Sequence, residues 1–330
     1  MKVLATVAVL SATLMHSDAG DYFLPEKLVY RRGTYQDFLS EKTKALGFWY
    51  REAFLCDGKF PSKKRAGGDC DDGDSTLFNG LLCVSGESLG CEAVKNAQAP
   101  DGQWWRSPRK KDGFSRYSRN SFSRDMSMGV LLYLVETKDV QAAGKWLAWI
   151  EDNKRCILEN SAVGCVIYDY TMCHNNHYFG CSITPVMWGI MREVWAYLGL
   201  PMHSMMRSKI VEISDRGLVA GTRFITPDGY QLHLAGVKSL LKRIMNVRHS
   251  QQDALNEVLL ERQPDNIFFR YLTAQPHQEI YREIISTCPS EETFSGDLNQ
   301  WAWERDTREA AWSSSMLWDC IFISNLLDRH

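Results

Sequence analysis

The sequence predicts an all-α protein, an (α/α) toroid of about ten to twelve helices stapled by disulfides. Three observations point there. Apolar residues recur three or four apart along most of the chain, alternating strand patterns are scarce, and ten cysteines follow a leader-like N-terminus.

The elements follow in order. A first helix is expected over 36–55, where Phe38, Leu46, Trp49, Ala53 and Phe54 share helical spacing. Residues 75–87 open with Ser75-Thr76 and carry Leu77, Leu81, Leu82 and Val84. Residues 125–136 carry Met126, Gly129, Val130, Tyr133 and Leu134. The same periodicity marks 139–156, 183–199, 231–246, 251–261, 276–287 and 307–327. The best strand candidate is a short piece from Arg223 to Thr226, before the Pro227-Asp228-Gly229 turn. The longest irregular stretch, 99–124, holds Trp104, Trp105, Phe114 and Tyr117 and is too aromatic for a spacer. With no strong linker, 20–330 reads as a single domain. Paired helices of this length fit an α/α toroid or an α-solenoid, and chemistry placed at helix starts favours the toroid.

Residues 1–19 read as a secretory leader: Lys2, an apolar run from Val3 to Met15, and a small residue at Ala19. Cleavage would put the protein outside the cell or in a periplasm. The ten cysteines all come later, an even number that suggests disulfides. Their spacing favours the local staples Cys83–Cys91, Cys156–Cys165 and Cys173–Cys181. No C-x-x-C pair suggests zinc, and no cofactor or metal is expected. The balance of 38 basic and 40 acidic residues argues against a nucleic-acid partner, which needs a basic face. No later stretch is apolar enough to span a membrane. No G-x-x-x-x-G-K loop or G-x-S-x-G elbow occurs. A monomer is expected.

Four segments carry chemistry. Asp71-Asp72-Gly73-Asp74 runs directly into an apolar helix, where Asp74 can cap the helix or face a cleft as a rigid carboxylate. Ser123-Arg124-Asp125 opens the next strong helix, with Arg124 and Asp125 able to cap it or to hold sugar hydroxyls. Trp301-Ala302-Trp303-Glu304 sets an acid among aromatics, where desolvation would raise its pKa as a general acid needs. Cys173 to Tyr178 contains His174 and His177; His177 can serve as a base with Tyr178 or Tyr230 as proton donor, or the segment is a disulfide-closed loop. Trp104-Trp105-Arg106, followed by Arg109, Lys110 and Lys111, suits stacking on sugar rings and binding an anionic glycan. Core tryptophans and solvated loop charges are the plainer alternatives.

Asp72-Gly73-Asp74 and the helix after it resemble a segment of the toroidal endoglucanases. Phe122-Ser123-Arg124-Asp125-Met126 is similar to the Arg-Asp helix start of glucoamylase-like and debranching-type glycosidases. Both groups have the (α/α)6 toroid fold. The resemblance implies that Asp74 and Asp125 are funnel residues that bind or activate at the cleaved sugar. Asn175-Asn176-His177-Tyr178-Phe179 resembles the Asn-Asn-His-x-Tyr-Trp segment of toroidal alginate lyases. That implies Asn176 neutralising a uronate carboxylate and His177 moving a proton, with Tyr230 the nearest candidate for the distant tyrosine.

The expectation is therefore a secreted polysaccharide-cleaving glycoside hydrolase. Its catalytic candidates are Asp74, Glu304, Asp125 and His177, with Asp74 and Glu304 as the acid/base pair. Its substrate-binding candidates are Arg124, Trp104, Trp105, Arg106, Asp72, Asn176, Tyr230 and Trp303. A uronate lyase using Asn176, His177 and Tyr230 is the alternative, and a non-catalytic secreted glycan binder is the third.

Overall fold

In the computed structural model the central feature is a pair of buried helices, α2 (Ser75–Val84) and α5 (Arg124–Thr137). Every residue of α2 is buried, as is α5 from Met126 to Val135. Such helices need a close neighbour on every side, and glycine supplies it here. A Cβ on Gly129 would lie 2.1 Å from the Thr76 carbonyl oxygen, and one on Gly80 would lie 2.3 Å from that of Gly129. The two backbones therefore touch, as only glycine permits.

The structure describes residues 32–113, 121–174, 179–209, 218–247, 250–274, 276–304 and 312–329. The predicted leader lies outside them. Residues 41–330 form one compact unit and residues 1–40 another, the latter described only over the first turns of α1 (Arg32–Glu52).

In the larger unit the rest of α1 buries Phe48 and Trp49. Two small antiparallel ladders follow, β1 (Leu55–Cys56) with β2 (Phe60–Pro61) and β3 (Lys63–Lys64) with β4 (Cys70–Asp71). After α2 comes α3 (Ser88–Asn96), held close by Gly90 and by the Cys83–Cys91 disulfide. A short α4 (Pro108–Gly113) precedes α5, and α6 (Val140–Asp152) follows it. A hairpin, β5 (Arg155–Asn160) with β6 (Gly164–Asp169), leads towards α7 (Pro185–Tyr197). Among the described residues the remaining α-helices are α8 (Leu218–Phe224), α9 (Tyr230–Ile244), α10 (Ser250–Arg262), α11 (Ile267–Leu272), α12 (His277–Thr287) and α13 (Trp318–Arg329).

Helix-rich architecture and disulfides agree with the sequence; the three two-stranded sheets depart from a strict all-α fold. The expected staples Cys83–Cys91, Cys156–Cys165 and Cys173–Cys181 are present, joined by Cys56–Cys70 and Cys288–Cys320. Three expectations are corrected. The strand expected near Arg223 is the end of helix α8, continued by a turn in which Ile225 and Thr226 N–H groups donate to the Gly221 carbonyl. The helix expected over 139–156 stops at Asp152, because the chain turns into β5. The helix expected over 307–327 is not continuous: Ser315 pairs with Gln300 in an isolated bridge before the last helix starts at Trp318, and residues 307–311 lie outside the described residues. Among the described residues, no helix is long and apolar enough to cross a membrane.

Candidate functional site

The glycine contact between α2 and α5 fixes where their first turns meet. Asp74 precedes Ser75 at the start of α2, and Asp125 lies in the first turn of α5, so both carboxylates come to one mouth. Their charges feel each other: the charge of Asp74 helps to raise the Asp125 pKa.

Neither helix is capped in the usual way. Helices α3, α6, α7 and α11 are capped by Glu87, Asp139, Thr184 and Asn266, each accepting from a first-turn N–H. Asp74 instead has φ 60, a left-handed conformation uncommon outside glycine, and its side chain makes no cap bond. Ser123 likewise makes none. Left-handed backbone at a non-glycine residue costs about 1 kcal/mol and is concentrated where function holds it. The carboxylate is thus withheld from its helix and turned to other partners. The Arg106 Nη1 donates to its Oδ1 at 3.1 Å, and the Lys63 Nζ lies 3.7 Å from its Oδ2.

Arg106 is itself nearly buried and held on both sides of its backbone. Its N–H donates to the Ser121 carbonyl at 2.8 Å, and its carbonyl accepts from the Thr76 N–H at 3.0 Å and hydroxyl at 2.8 Å. Lys63 arrives through the β3–β4 ladder, which pairs it with Asp71. Asp125 is half-buried; burial raises its carboxyl above the ordinary range, the Asp74 charge adds to the rise, and Arg124 and Arg106 oppose it. The mouth therefore offers one carboxyl whose pKa is raised and a second that faces two cations. Two helix N-termini add their positive ends.

A third acid is joined to this mouth through stacked rings. The Lys63 ammonium sits 4.8 Å from the Phe78 ring centre, and Trp301 stacks on Phe78 at 4.8 Å. The Trp301 indole N–H donates to His233 Nε2 at 3.2 Å, and His233 Nδ1 lies 3.9 Å from Glu304 Oε1. His233 is fully buried, and desolvation lowers its pKa to about 3, so the ring is neutral. Beneath the Ala302–Glu304 turn, Asp319 accepts from the Ala302 N–H at 2.7 Å and the Ser315 hydroxyl at 2.6 Å. Its burial raises its pKa to about 6 against these bonds. Glu304 is thereby seated above a buried base and linked to Asp74 only through His233, Trp301, Phe78 and Lys63.

Other candidates are placed differently. Trp104, Trp105 and Trp303 are buried, which corrects the expected stacking of Trp104 and Trp105 on sugar and the expected substrate contact of Trp303. Trp104 packs edge-on against Tyr133, and Trp303 donates to the Asp319 carbonyl at 3.0 Å. The loop is aromatic because it plugs the core. Asp72 is also buried and accepts from the Ser107 hydroxyl at 2.7 Å, so it anchors the Arg106 loop rather than meeting substrate. Tyr230 is half-exposed, and its hydroxyl accepts from Gln231. Asn176, His177 and Tyr178 lie outside the described residues. Cys56, Asp57 and Cys70 cluster as metal ligands would, but the two sulfurs are spent on each other. Lys63, His233 and Asp319 escaped the sequence reading. Nothing in the local sequence marked Lys63 or Asp319, and the apolar neighbours Leu232, Gly236 and Val237 were the trace of a buried His233. Comparison with protein-family models, curated proteins and solved structures finds no match for the chain.

Proposed function

We propose that the protein is an exported glycoside hydrolase that cleaves polysaccharide at the shared mouth of α2 and α5. Asp125 serves as the general acid and Asp74, held by Arg106 and Lys63, as its partner. Glu304 was the expected counterpart of Asp74; the charge coupling between the two aspartates favours Asp125 instead. The observation that carries the reading is the asymmetry of the pair. Glycoside hydrolysis needs one carboxyl that holds a proton near neutral pH and one that has lost it. Burial and the neighbouring charge favour the proton on Asp125, while Arg106 and Lys63 flank Asp74. Arg124 lies beside Asp125 and is suited to hold sugar hydroxyls. The reading includes a toroidal arrangement of helix pairs, with several helix starts lining one funnel. Five disulfides suit a protein working in an oxidising compartment.

The test is digestion of neutral and acidic polysaccharides by the oxidised protein, reading new reducing ends and the ultraviolet absorbance of unsaturated uronate together. Reducing ends without absorbance are expected. Asp74→Asn and Asp125→Asn should each lower turnover by about 10²–10⁴-fold while leaving the melting curve in place. Turnover near wild type in either variant removes the pair. Absorbance rising with reducing ends means elimination, and the chemistry then belongs elsewhere in the chain.

A further inference from the structure

The charges at the α2–α5 mouth do not balance. Asp74 meets two cations, the Arg106 guanidinium at 3.1 Å and the Lys63 ammonium at 3.7 Å. A third, Arg124, opens α5 directly beside Asp125, and its charge acts on that carboxyl together with the charge of Arg106. Three cations therefore face two carboxyls. With both carboxyls charged, one cation is left over. With the proton that a general acid carries on Asp125, the surplus is larger still. The next acids outward do not cancel it. Asp71 pairs with Arg65 at 3.4 Å, and Asp72 pairs with Arg109 at 3.5 Å and accepts from the Ser107 hydroxyl.

The surplus is unclaimed at Arg124. Arg106 and Lys63 are both engaged by Asp74, and Lys63 also lies over the Phe78 ring. Arg124 is half-buried, and among the described residues its guanidinium donates no hydrogen bond and enters no ion pair. Arg155, Arg262 and Arg270 are partly buried as well, and each pairs with a carboxylate. A guanidinium is a planar fork that matches a carboxylate or a sulfate with two parallel hydrogen bonds. Sugar hydroxyls would use its donors and leave its charge unmatched. Covering a charge with a neutral ligand costs desolvation that an acidic group offsets.

We propose that the substrate is an acidic polysaccharide, and that Arg124 receives the carboxylate or sulfate of a sugar bound beside Asp125. This rests on the hydrolase reading of the mouth and adds the class of glycan.

The experiment reads binding and cleavage separately on the oxidised full-length protein. Its probes are the acidic glycans polygalacturonate, polymannuronate and dextran sulfate, with galactan, mannan and dextran as their neutral counterparts. Titration calorimetry gives affinity, and new reducing ends give turnover. An acidic glycan is expected to bind about ten-fold tighter than its counterpart, or more, and the member that binds tells carboxylate from sulfate. Arg124→Gln should weaken that binding by about 10–100-fold, as loss of a charge-assisted pair does. Arg124→Lys should weaken it less, because the charge stays and the fork is lost. Melting should be unaltered in both, since Arg124 holds no neighbour in place. Arg223→Gln removes an exposed cation paired with Glu261, and should bind as wild type does. Neutral glycans bound as tightly as acidic ones, acidic binding that survives Arg124→Gln, or no binding to any of the six overturns the proposal. Cleavage of neutral glycans alone keeps the hydrolase and removes this inference. Acidic binding that depends on Arg124, without new reducing ends, keeps this site and removes the hydrolase.

Discussion

Replacing Gly129 by alanine tests the contact that brings the two aspartates together. The added Cβ would lie 2.1 Å from the Thr76 carbonyl oxygen and 2.6 Å from the Leu77 Cα. Both are backbone atoms of a fully buried helix, so neither can swing aside. Relief requires α2 and α5 to separate by about 1 Å, loosening a tightly packed core. Overpacking of this kind costs about 1–3 kcal/mol, and rigid neighbours place it at the upper end. Alanine's better helix propensity returns about 0.5–1 kcal/mol. The net loss is about 2 kcal/mol, or roughly 3 °C in melting temperature for a chain of this size. Gly144, in helix α6, is the control, because a Cβ there meets nothing within 4 Å. The same substitution at Gly144 should stabilise by about 0.5–1 kcal/mol. The assay is thermal and urea unfolding of the oxidised proteins. A Gly129→Ala protein as stable as wild type would refute the packing argument, as would equal losses at the two sites.

Two further outcomes follow from the buried groups and the disulfides. His233 has a folded pKa of about 3 against an unfolded 6.5, so acidification from pH 6.5 protonates only the unfolded chain and stability falls. Asp319 works in the opposite sense: its folded pKa of about 6 exceeds the unfolded 3.8, so its contribution is full below that value and lost as pH rises to about 6. Melting curves between pH 4 and 6 should therefore slope more steeply upward with pH in Asp319→Asn than in wild type, and less so in His233→Gln; parallel curves for all three would contradict the burial of these groups. Removing Cys288–Cys320, which spans 32 residues, should cost about 4 kcal/mol, and removing Cys83–Cys91, which spans 8, about 2.5 kcal/mol. Serine pairs and denaturant unfolding check the order, and a reversal would show that loop entropy is not the main contribution.

Helix positions were legible where packing and periodicity agree. Helix α5 was readable from Met126, Val130, Tyr133 and Leu134 because an apolar stripe three or four apart can be buried only as a helix. Short elements were not. Helices α3, α4, α8 and α11 run from 6 to 9 residues and are held by neighbours rather than by their own pattern. The hairpin was hidden because its apolar residues are exposed, against the alternation that marks a half-buried strand.

The sequence by itself determined that this chain is helix-rich, that nearby cysteines would pair, and that acids stand at the starts of α2 and α5. These are local properties, carried by residues within a turn or a loop of one another. Tertiary structure alone decided what each of those residues does. The same tryptophan can stack on sugar or fill the core, and burial put Trp104 and Trp105 inside. The same aspartate can cap a helix or face a cleft, and Asp74 turned to Arg106, 32 residues away, because its backbone went left-handed. The charge coupling of Asp74 to Asp125 depends on two glycines allowing two backbones to touch, a constraint that no spacing along one chain can express.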